Sequence, residues 1–294
     1  MKPAELGGPM ASDLEGLEVR RTRWSSALVA DGTPHLMGII NVTNDSFYAG
    51  SRAEEHEAVK RGLAMWDAGA MWVDIGGEST RPGAKPVSIE EETQRVVPVI
   101  EALRHLRPKG LISVDTRHPA VARKALEAGA DMVNDVSGLR DPSMVDLVLE
   151  WGCPVCIMHM QGEPGTMQTN PTYGDCVAEV SHDLNATFRM LVERGHPPEL
   201  IVLDPGIGFG KTQANNLALL GAGQTIAESS TTPVLWGVSR KSIVGHITGH
   251  QDPDDRLAGT LGLAVVAQRK GIDLLRIHDV QAHVDLFAAL NAVN

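Results

Sequence analysis

The chain repeats one pattern: a short apolar run that is closed by a polar residue and followed by a segment with helical periodicity. Eight runs of this kind occur, and their closing residues are Asn41, Asp74, Asp115, Asn134, His159, Asp204, Ser239 and Arg276. The closing residues recur at intervals of roughly 20 to 45 residues. This rhythm predicts an α/β fold in which βα repeats close into a barrel, with a polar site at one rim.

Two other architectures contain repeated or alternating elements. An open doubly wound sheet gathers its ligand groups at one switch point, whereas here a polar residue closes nearly every apolar run. A solenoid requires matching sequence repeats, and in this chain only the alternation of element types recurs. The barrel is therefore favoured over both.

The length of 294 residues fits one α/β barrel domain, since such barrels typically need about 250 residues. Residues 1–34 are polar and are predicted to form a short irregular N-terminal extension, without assigned chemistry. Residues 35–294 are predicted to form the single (β/α)8 catalytic domain.

Composition excludes several classes of protein. No apolar run approaches the roughly 18 residues that span a bilayer, and the acidic N-terminal segment does not resemble a secretory signal. We therefore expect no membrane partner and a cytoplasmic location. The formal net charge of −11 argues against nucleic-acid binding through a broad basic surface, so an anionic ligand must meet a local basic pocket.

Three cysteines are too few for a disulfide framework. Cys153 and Cys156 have the spacing of a redox pair, but they begin an apolar run in which positions i and i+3 face opposite sides of a strand. We therefore interpret both cysteines as structural.

The glycine-rich segment 204–212 directly follows a predicted strand. It fails the Walker phosphate-loop pattern, because Pro205 stands where that pattern requires glycine. Its glycines instead allow sharp turns beside a ligand, with Asp204 directed into the barrel mouth. The alternative is that Asp204 only caps the following helix.

Nine motifs carry a resemblance that extends in order from about Met37 to Val284. They are GIINVT (38–43), DSF (45–47), GGESTRPG (76–83), SVDT (113–116), NDVSG (134–138), MHMQG (158–162), DPGIGFGK (204–211), SRKS (239–242) and RIHD (276–279). Together they resemble dihydropteroate synthase of the folate pathway. The resemblance implies a (β/α)8 TIM barrel that joins 6-hydroxymethyl-7,8-dihydropterin pyrophosphate to p-aminobenzoate and releases pyrophosphate.

A pterin presents adjacent N–H donors that a carboxylate can accept together and that an amide can read from both sides. Asp115, Asn134 and Asp204 supply such groups at strand ends, and the resemblance places the same three around the pterin. It adds Met158 and Lys241 to the pterin contacts, while Lys211 is expected to have a supporting role.

The predicted anion site uses the last strand, where Arg276 and His278 are two residues apart and so face the same side. The resemblance adds Thr80 and Arg81 for the pyrophosphate. Asn41 offers an uncharged oxygen ligand, which suits a Mg²⁺ cofactor held mostly by water and substrate phosphates. The alternatives are strand capping by Asn41 and a satisfied core histidine at His278.

The resemblance implies a p-aminobenzoate pocket on mobile loops. Its expected members are Phe47, Thr80, Arg81, Pro82, Phe209, Lys241 and Ser242. The implied chemistry is a dissociative substitution without a strong general base. The catalytic residues expected for it are Asp115, Lys241, Arg276 and His278. Small-molecule substrates and a homodimer formed through the last helices are also implied.

The first loop departs from the family pattern. Asn44 stands where proline is common, and residues 48–51 replace a Ser-Asp-Gly-Gly run, so an acid is missing. One rival interpretation is therefore a pterin-binding paralogue with little or no synthase activity. A second is a pterin-dependent methyltransferase, which has no use for an anion site such as the one formed by Arg276, His278 and Arg81.

Overall fold

The computed structural model of the protein describes residues 11–42, 52–79, 86–163 and 165–293. Within these ranges eight strands alternate with helices along the chain. The strands are β1 His35–Asn41, β2 Trp72–Gly76, β3 Leu111–Asp115, β4 Met132–Asp135, β5 Val155–Met158, β6 Ile201–Asp204, β7 Leu235–Trp236 and β8 Leu274–Ile277. The helices are α1 Ala11–Leu28, α2 Arg52–Asp67, α3 Ile89–Leu106, α4 Pro119–Glu127, α5 Pro142–Trp151, α6 Cys176–Glu193, α7 Gln213–Ala222, α8 Ser242–Thr248, α9 Leu257–Arg269 and α10 Val280–Asn291.

All strand pairs in the described sheet are parallel, and the strand order is β6-β5-β4-β3-β2-β1-β8-β7. A parallel bridge between Leu203 and Val234 brings the segment before β7 against β6 and nearly closes the sheet. Parallel strands linked by helices have all their carboxyl ends at one rim. The predicted (β/α)8 TIM barrel is confirmed, and its polar strand ends meet at that rim.

Local sequence signals explain where several elements begin and which face they bury. Ser88 caps α3 by accepting a hydrogen bond from the backbone N–H of Glu91, as its spacing predicts. The helical periodicity at Val96, Ile100 and Leu103 places these side chains in the core between α3 and the sheet.

The N-terminal extension corrects the expectation of an irregular segment, because residues Ala11–Leu28 form helix α1. Trp24, Ala27 and Leu28 lie on one helical face and are buried with the side chains at the amino ends of the strands. The indole N–H of Trp24 donates to Asp131. Helix α1 therefore covers the barrel end opposite the polar rim.

The three cysteines are free and buried. Cys153 belongs to the main core between helices and sheet, whereas Cys156 faces the barrel interior with Met37 and Trp72. Burial raises the pKa of the Cys153 thiol to about 12. This confirms the structural interpretation, because a redox cysteine requires an accessible thiolate. None of the helices in the described part of the chain has the length and apolar composition of a bilayer-spanning segment.

Candidate active site at the barrel rim

Arg276 on β8 occupies the centre of the polar rim. Its Nε donates to Asp74 Oδ2 at 2.6 Å, and its Nη2 donates to Asp115 Oδ2 at 2.5 Å. Asn134 on β4 donates its side-chain amide N–H to the same Oδ2 of Asp74 at 3.1 Å. Asp115, Asn134 and Arg276 are thus brought together, although up to 161 positions separate them along the chain.

Asp74 organises this group, and the sequence-based site did not include it. Its carboxylate is 0 % exposed and accepts from both Arg276 and Asn134, which fixes the orientation of both side chains. Asp74 closes the second apolar run, so the sequence pattern already placed it at the polar rim. Its contact partners could not be predicted, because they depend on which strand ends face one another across the barrel.

One guanidinium between two carboxylates leaves the cluster with a net negative charge. Burial raises the pKa of the Asp115 carboxyl group to about 7 against the opposing charge of Arg276, and Asp74 adds to the rise. Burial alone lowers the pKa of Arg276, but Asp74 and Asp115 outweigh it and raise that pKa overall. The guanidinium therefore stays charged, while Asp115 gains or loses a proton near neutrality.

This raised pKa predicts how Asp115→Asn changes the pH dependence of stability. A carboxyl group whose pKa is higher in the folded than in the unfolded chain favours folding below about pH 4, and this contribution is lost as the pH rises towards 7. The free energy of unfolding of Asp115→Asn should therefore fall less between pH 4 and 7 than that of the unsubstituted protein. Urea titrations at several pH values measure the difference, and identical slopes would contradict the raised pKa.

A second group lies beside this cluster, at the ends of β6 and β7. Asp204 Oδ1 accepts from the backbone N–H of Gly206 at 2.7 Å, and Lys241 Nζ donates to the carbonyl of Ile207 at 2.7 Å. Both side chains border Gly237, where a Cβ would lie 3.5 Å from Lys241 Nζ and 3.9 Å from Asp204 Oδ2. Burial raises the pKa of Asp204 against the charge of Lys241. Burial also lowers the pKa of Lys241 to about 8, although Asp204 opposes that change.

The two groups share the barrel mouth. Burial raises the pKa of the Cys156 thiol, and nearby carboxylates add to the rise while Arg276 opposes it. The carboxylates are those of Asp204, Asp74 and Asp115, so both groups lie near this thiol. Met158 on β5 is buried at the same rim, in a cluster against which Phe209 packs. The ring of Phe209 lies 4.4 Å from Lys241 Nζ, a cation–π distance.

Two neighbouring braces position the segment after the short strand β7. Ser239 Oγ lies 3.0 Å from His278 Nδ1 and accepts from the His278 backbone N–H at 3.2 Å. Arg240 forms a bidentate pair with Asp279 at 3.0 and 2.6 Å, although its φ of 58° is in the left-handed region. These contacts connect the β7 and β8 ends and direct Lys241 towards the site. Ser242 begins α8 immediately afterwards.

Glu78 and Arg117 form an ion pair near the end of β2, and the sequence-based site included neither residue. Glu78 accepts hydrogen bonds from Arg117 Nε at 3.0 Å and from the backbone N–H of Val87 at 3.2 Å. Burial raises the pKa of Glu78, but the Arg117 hydrogen bond and the other donors lower it overall. Glu78 stands within the GGESTRPG motif, whereas nothing in the sequence distinguishes Arg117 from a surface arginine.

Several residues of the predicted site belong to two loops outside the described ranges. Phe47, Thr80, Arg81 and Pro82 lie outside the described residues, as do Asn44, Tyr48 and Ala49 of the altered first loop.

Asn41 at the end of β1 is exposed and lines a small cavity of about 120 Å³ with Glu54 and Glu57. Within the described ranges, no three His, Cys, Asp or Glu side chains form a group able to hold a metal ion. A Mg²⁺ ion bound mainly through substrate phosphates needs only one or two protein oxygens. The amide oxygen of Asn41 is a ligand of this kind, in a cavity that Arg61 also lines.

A larger cavity of about 450 Å³ lies at the opposite end of the barrel, between the α1–β1 connection and α10. Its lining is mostly apolar and includes Leu36, Val284 and Phe287. Asp115, Lys241, Lys211 and Arg276, whose pKa values are all strongly changed, lie at the polar rim instead. The rim is therefore the candidate active site, since catalytic residues of such barrels lie at the carboxyl ends of strands.

The sequence pattern of the family described as pterin binding enzyme matches residues 37–278. The chain belongs to this family. It is 43% identical over 274 residues to dihydropteroate synthase of Escherichia coli strain K12, covering 90% of this chain and 95% of that protein.

Solved structures agree with this assignment. The structure of Xanthomonas albilineans dihydropteroate synthase with 4-aminobenzoic acid is similar with a TM-score of 0.81 and 44% identity, over 89% of this chain and 93% of that one. The Burkholderia cenocepacia enzyme complexed with 7,8-dihydropteroate gives a TM-score of 0.80 and 42% identity, over 88% and 91% of the two chains.

Proposed function

We infer that this pterin binding enzyme is a dihydropteroate synthase. It condenses 6-hydroxymethyl-7,8-dihydropterin pyrophosphate with p-aminobenzoate to give 7,8-dihydropteroate and pyrophosphate, in folate biosynthesis. The observation that carries this conclusion is the convergence of Asp115, Asn134, Asp204 and Arg276 at one rim. It occurs in a chain more than 40% identical to enzymes of that name.

For the pterin we propose that Asp204, Asn134 and Asp115 read the nitrogen-rich edge of the ring. Asp204 is buried, and the Gly206 N–H holds its Oδ1 while Oδ2 lies beside Gly237. Asn134 is held by Asp74, which fixes its amide group for donor and acceptor contacts. Lys241 and Met158 would contact the ring from the neighbouring strand ends.

For the pyrophosphate we propose Arg276 and His278, together with Thr80 and Arg81. Asp74 and Asp115 accept one N–H each from Nε and Nη2 of Arg276, which leaves both N–H groups of Nη1 and one of Nη2 as donors to a ligand. Ser239 orients the His278 ring. Bound through Asn41 and substrate phosphates, Mg²⁺ would neutralise part of the charge on the leaving group.

For p-aminobenzoate we propose Phe209, Lys241 and Ser242, with Phe47, Thr80, Arg81 and Pro82 completing the pocket. The Phe209 ring and the Lys241 ammonium already lie together, so they present an apolar face and a cation to an aromatic carboxylate. This arrangement suits a ligand that carries both features.

The proposed reaction is a dissociative substitution. The bond between the pterin methylene carbon and the pyrophosphate oxygen breaks first, and the leaving group takes the electron pair. The aniline nitrogen of p-aminobenzoate then forms the new C–N bond and releases one proton to solvent or pyrophosphate. Asp115 stabilises the electron-poor pterin, and Arg276 and His278 hold the anion, so the barrier is lowered by electrostatics and positioning.

Pyrophosphate release by the purified protein, given both substrates and Mg²⁺, tests this function. We expect steady release that depends on p-aminobenzoate. Pterin binding without turnover would instead identify the non-catalytic paralogue. Methyl transfer from a methylated folate to a corrinoid protein would identify the methyltransferase.

Sulfonamides should inhibit the reaction competitively with p-aminobenzoate. Their aniline group resembles that of the substrate, and the Thr80-Arg81-Pro82 segment of the proposed pocket is intact in the sequence. Initial rates measured over a matrix of sulfonamide and p-aminobenzoate concentrations should show an apparent KM that rises with inhibitor at constant kcat. Inhibition that is independent of p-aminobenzoate would exclude a shared pocket.

We further propose that the protein is a homodimer. Helix α8 packs against α7 and α9, and these adjacent helices expose Leu217 on α7 and Ile247 on α8. Helix α9 carries one charged residue in its thirteen positions, which is typical of an interface helix. The free buried cysteines support a reducing, cytoplasmic environment for this dimer.

Light scattering on Leu217→Arg tests the dimer. The substituted protein should be monomeric, because a buried unpaired charge at an interface is costly. Leu106→Arg is the matched control, since Leu106 is exposed on the distant helix α3 and should not alter the mass. A monomeric unsubstituted protein would refute the proposal.

A further inference from the structure

The loop between β6 and α7 has an unusual backbone. Gly206, Gly208 and Gly210 all have positive φ values, of 66°, 87° and 58°. Because these glycines alternate with Ile207 and Phe209, the carbonyl groups of the loop do not take part in the regular hydrogen bonding of a strand or a helix. An unpaired buried carbonyl costs about 1–3 kcal/mol, so this loop requires donors from elsewhere.

Side chains supply those donors to four consecutive carbonyls. Lys241 donates to Ile207 at 2.7 Å, and Gln168 donates to Gly208 at 2.5 Å. Lys211 donates to Phe209 at 3.0 Å, and Tyr173 donates to Gly210 at 2.8 Å. The backbone of this loop is therefore held by side chains and not by a strand or a helix.

Lys211 differs from the other three donors because it is only 3 % exposed and makes three contacts. Besides the Phe209 carbonyl, its Nζ contacts the His159 carbonyl at 3.2 Å and His159 Nδ1 at 3.1 Å. Burial lowers the pKa of His159 to about 3, and the charge of Lys211 adds to this, so the imidazole is neutral and accepts at Nδ1. All three acceptors lie within hydrogen-bond distance of Nζ, so the hydrogen bonds of Lys211 are made within the protein.

These contacts join two strand ends. His159 follows β5 and its backbone N–H donates to the Asp204 carbonyl at 2.9 Å, while Phe209 belongs to the loop after β6. The loops are in close contact, because a Cβ at Gly206 would lie only 1.9 Å from the His159 carbonyl oxygen. A shift of the loop would therefore move the Phe209 ring relative to Lys241.

We propose that Lys211 is a positioning residue for the p-aminobenzoate site. It holds the backbone that carries the Phe209 ring. By holding this loop it also fixes the Ile207 carbonyl, which accepts the hydrogen bond of Lys241. The proposal rests on the assignment of Phe209 and Lys241 to that pocket. Lys211 makes no hydrogen bond with Asp74, Asp115, Asn134 or Arg276, and the Asp204 carboxylate is oriented by the Gly206 N–H, so pterin binding depends less on Lys211 than the p-aminobenzoate pocket does. Burial lowers the pKa of Lys211 to about 7, which agrees with a lysine held for its hydrogen bonds and not for a surface charge.

The test is Lys211→Met, which keeps the aliphatic volume and removes all three donors. We expect the KM for p-aminobenzoate to rise about ten-fold or more, since the hydrogen bonds of Nζ to the Phe209 carbonyl and to His159 are lost together. We expect kcat to stay within about three-fold, and the Kd for 6-hydroxymethylpterin, measured by calorimetry, to stay within about two-fold. An unchanged KM, or a parallel loss of pterin affinity, would overturn the proposal.

Three further variants separate the explanations. Lys270→Met is the matched control, because Lys270 is exposed and donates to the Gly221 carbonyl away from the site. Tyr173→Phe removes one loop contact and should change the KM by less than about three-fold. Phe209→Ala tests the pocket itself: if it leaves the KM unchanged, the pocket assignment fails. If only Lys211→Met leaves it unchanged, the positioning role alone fails.

If Lys211→Met does not fold, as judged by circular dichroism, Lys211→Gln retains an amide donor for one carbonyl and is used in the same assays. A rise in the KM for p-aminobenzoate that is smaller than the roughly ten-fold rise expected for Lys211→Met, at constant pterin affinity, supports the proposal. A KM equal to that of the unsubstituted protein overturns it.

Discussion

Asp204→Ala should lower the affinity for the pterin by about 10²–10⁴-fold. Its carboxylate is buried and would accept two N–H groups of the pterin, and each hydrogen bond to a charged group is worth about 1.5–3 kcal/mol. The substitution also removes the acceptor of the Gly206 N–H and the counter-charge beside Lys241. Calorimetric titration with 6-hydroxymethylpterin measures the loss directly.

Two further variants make this result specific. Asp204→Asn keeps an oxygen for the Gly206 N–H but presents an amide to the pterin. Its pterin affinity should therefore lie between that of the unsubstituted protein and that of Asp204→Ala. Asp285→Ala removes an exposed carboxylate on α10, whose contact is Gln281, and should leave pterin binding unchanged. Unaltered affinity in Asp204→Ala would show that the pterin site is elsewhere.

Arg276→Met should have the largest combined effect on stability and rate. It leaves Asp74 and Asp115 buried without their shared cation, and breaking a buried ion pair costs about 3–5 kcal/mol. Since Arg276 itself is partly exposed, we expect the lower end of that range. The loss should be larger above pH 7 than near pH 4, because Asp115, whose pKa is raised to about 7, is ionised only at the higher pH and then lacks its cation.

The same substitution should lower kcat/KM by on the order of 10²–10³-fold, because an electrostatic donor to the leaving group is removed. Urea unfolding and steady-state kinetics measure the two effects. Arg194→Met is the matched control: it breaks an exposed ion pair with Asp146 and should cost less than about 1 kcal/mol. A pH-independent stability loss would contradict the role of the two carboxylates.

The sequence predicts the ends of the strands better than the contacts between them. Asp115, Asn134 and Asp204 close apolar runs, and parallel strands bring such ends to one rim, so their convergence follows from the pattern. The hydrogen bond that Arg276 donates to Asp74 spans 202 positions of the chain and depends on the position of each strand around the barrel. No local rule contains that information.

Helix α1 shows a second limit. Its sequence is polar on most sides, and its apolar residues near the C-terminal end, Trp24, Ala27 and Leu28, form too short a stripe to distinguish a helix from a coil. They become informative only beside the open end of a barrel, whose amino-end side chains need a cover. Tertiary packing, and not intrinsic propensity, therefore determines this helix.

The position of α1 determines from which side the enzyme can be immobilised on a surface or a carrier without blocking the active site. Because the C-terminal part of this helix is anchored at the end of the barrel opposite the polar rim, a carrier attached at its exposed position Arg20 would lie on that side. Substrates would still reach the mouth from bulk solution. Preparations coupled there through Arg20→Cys should therefore retain turnover.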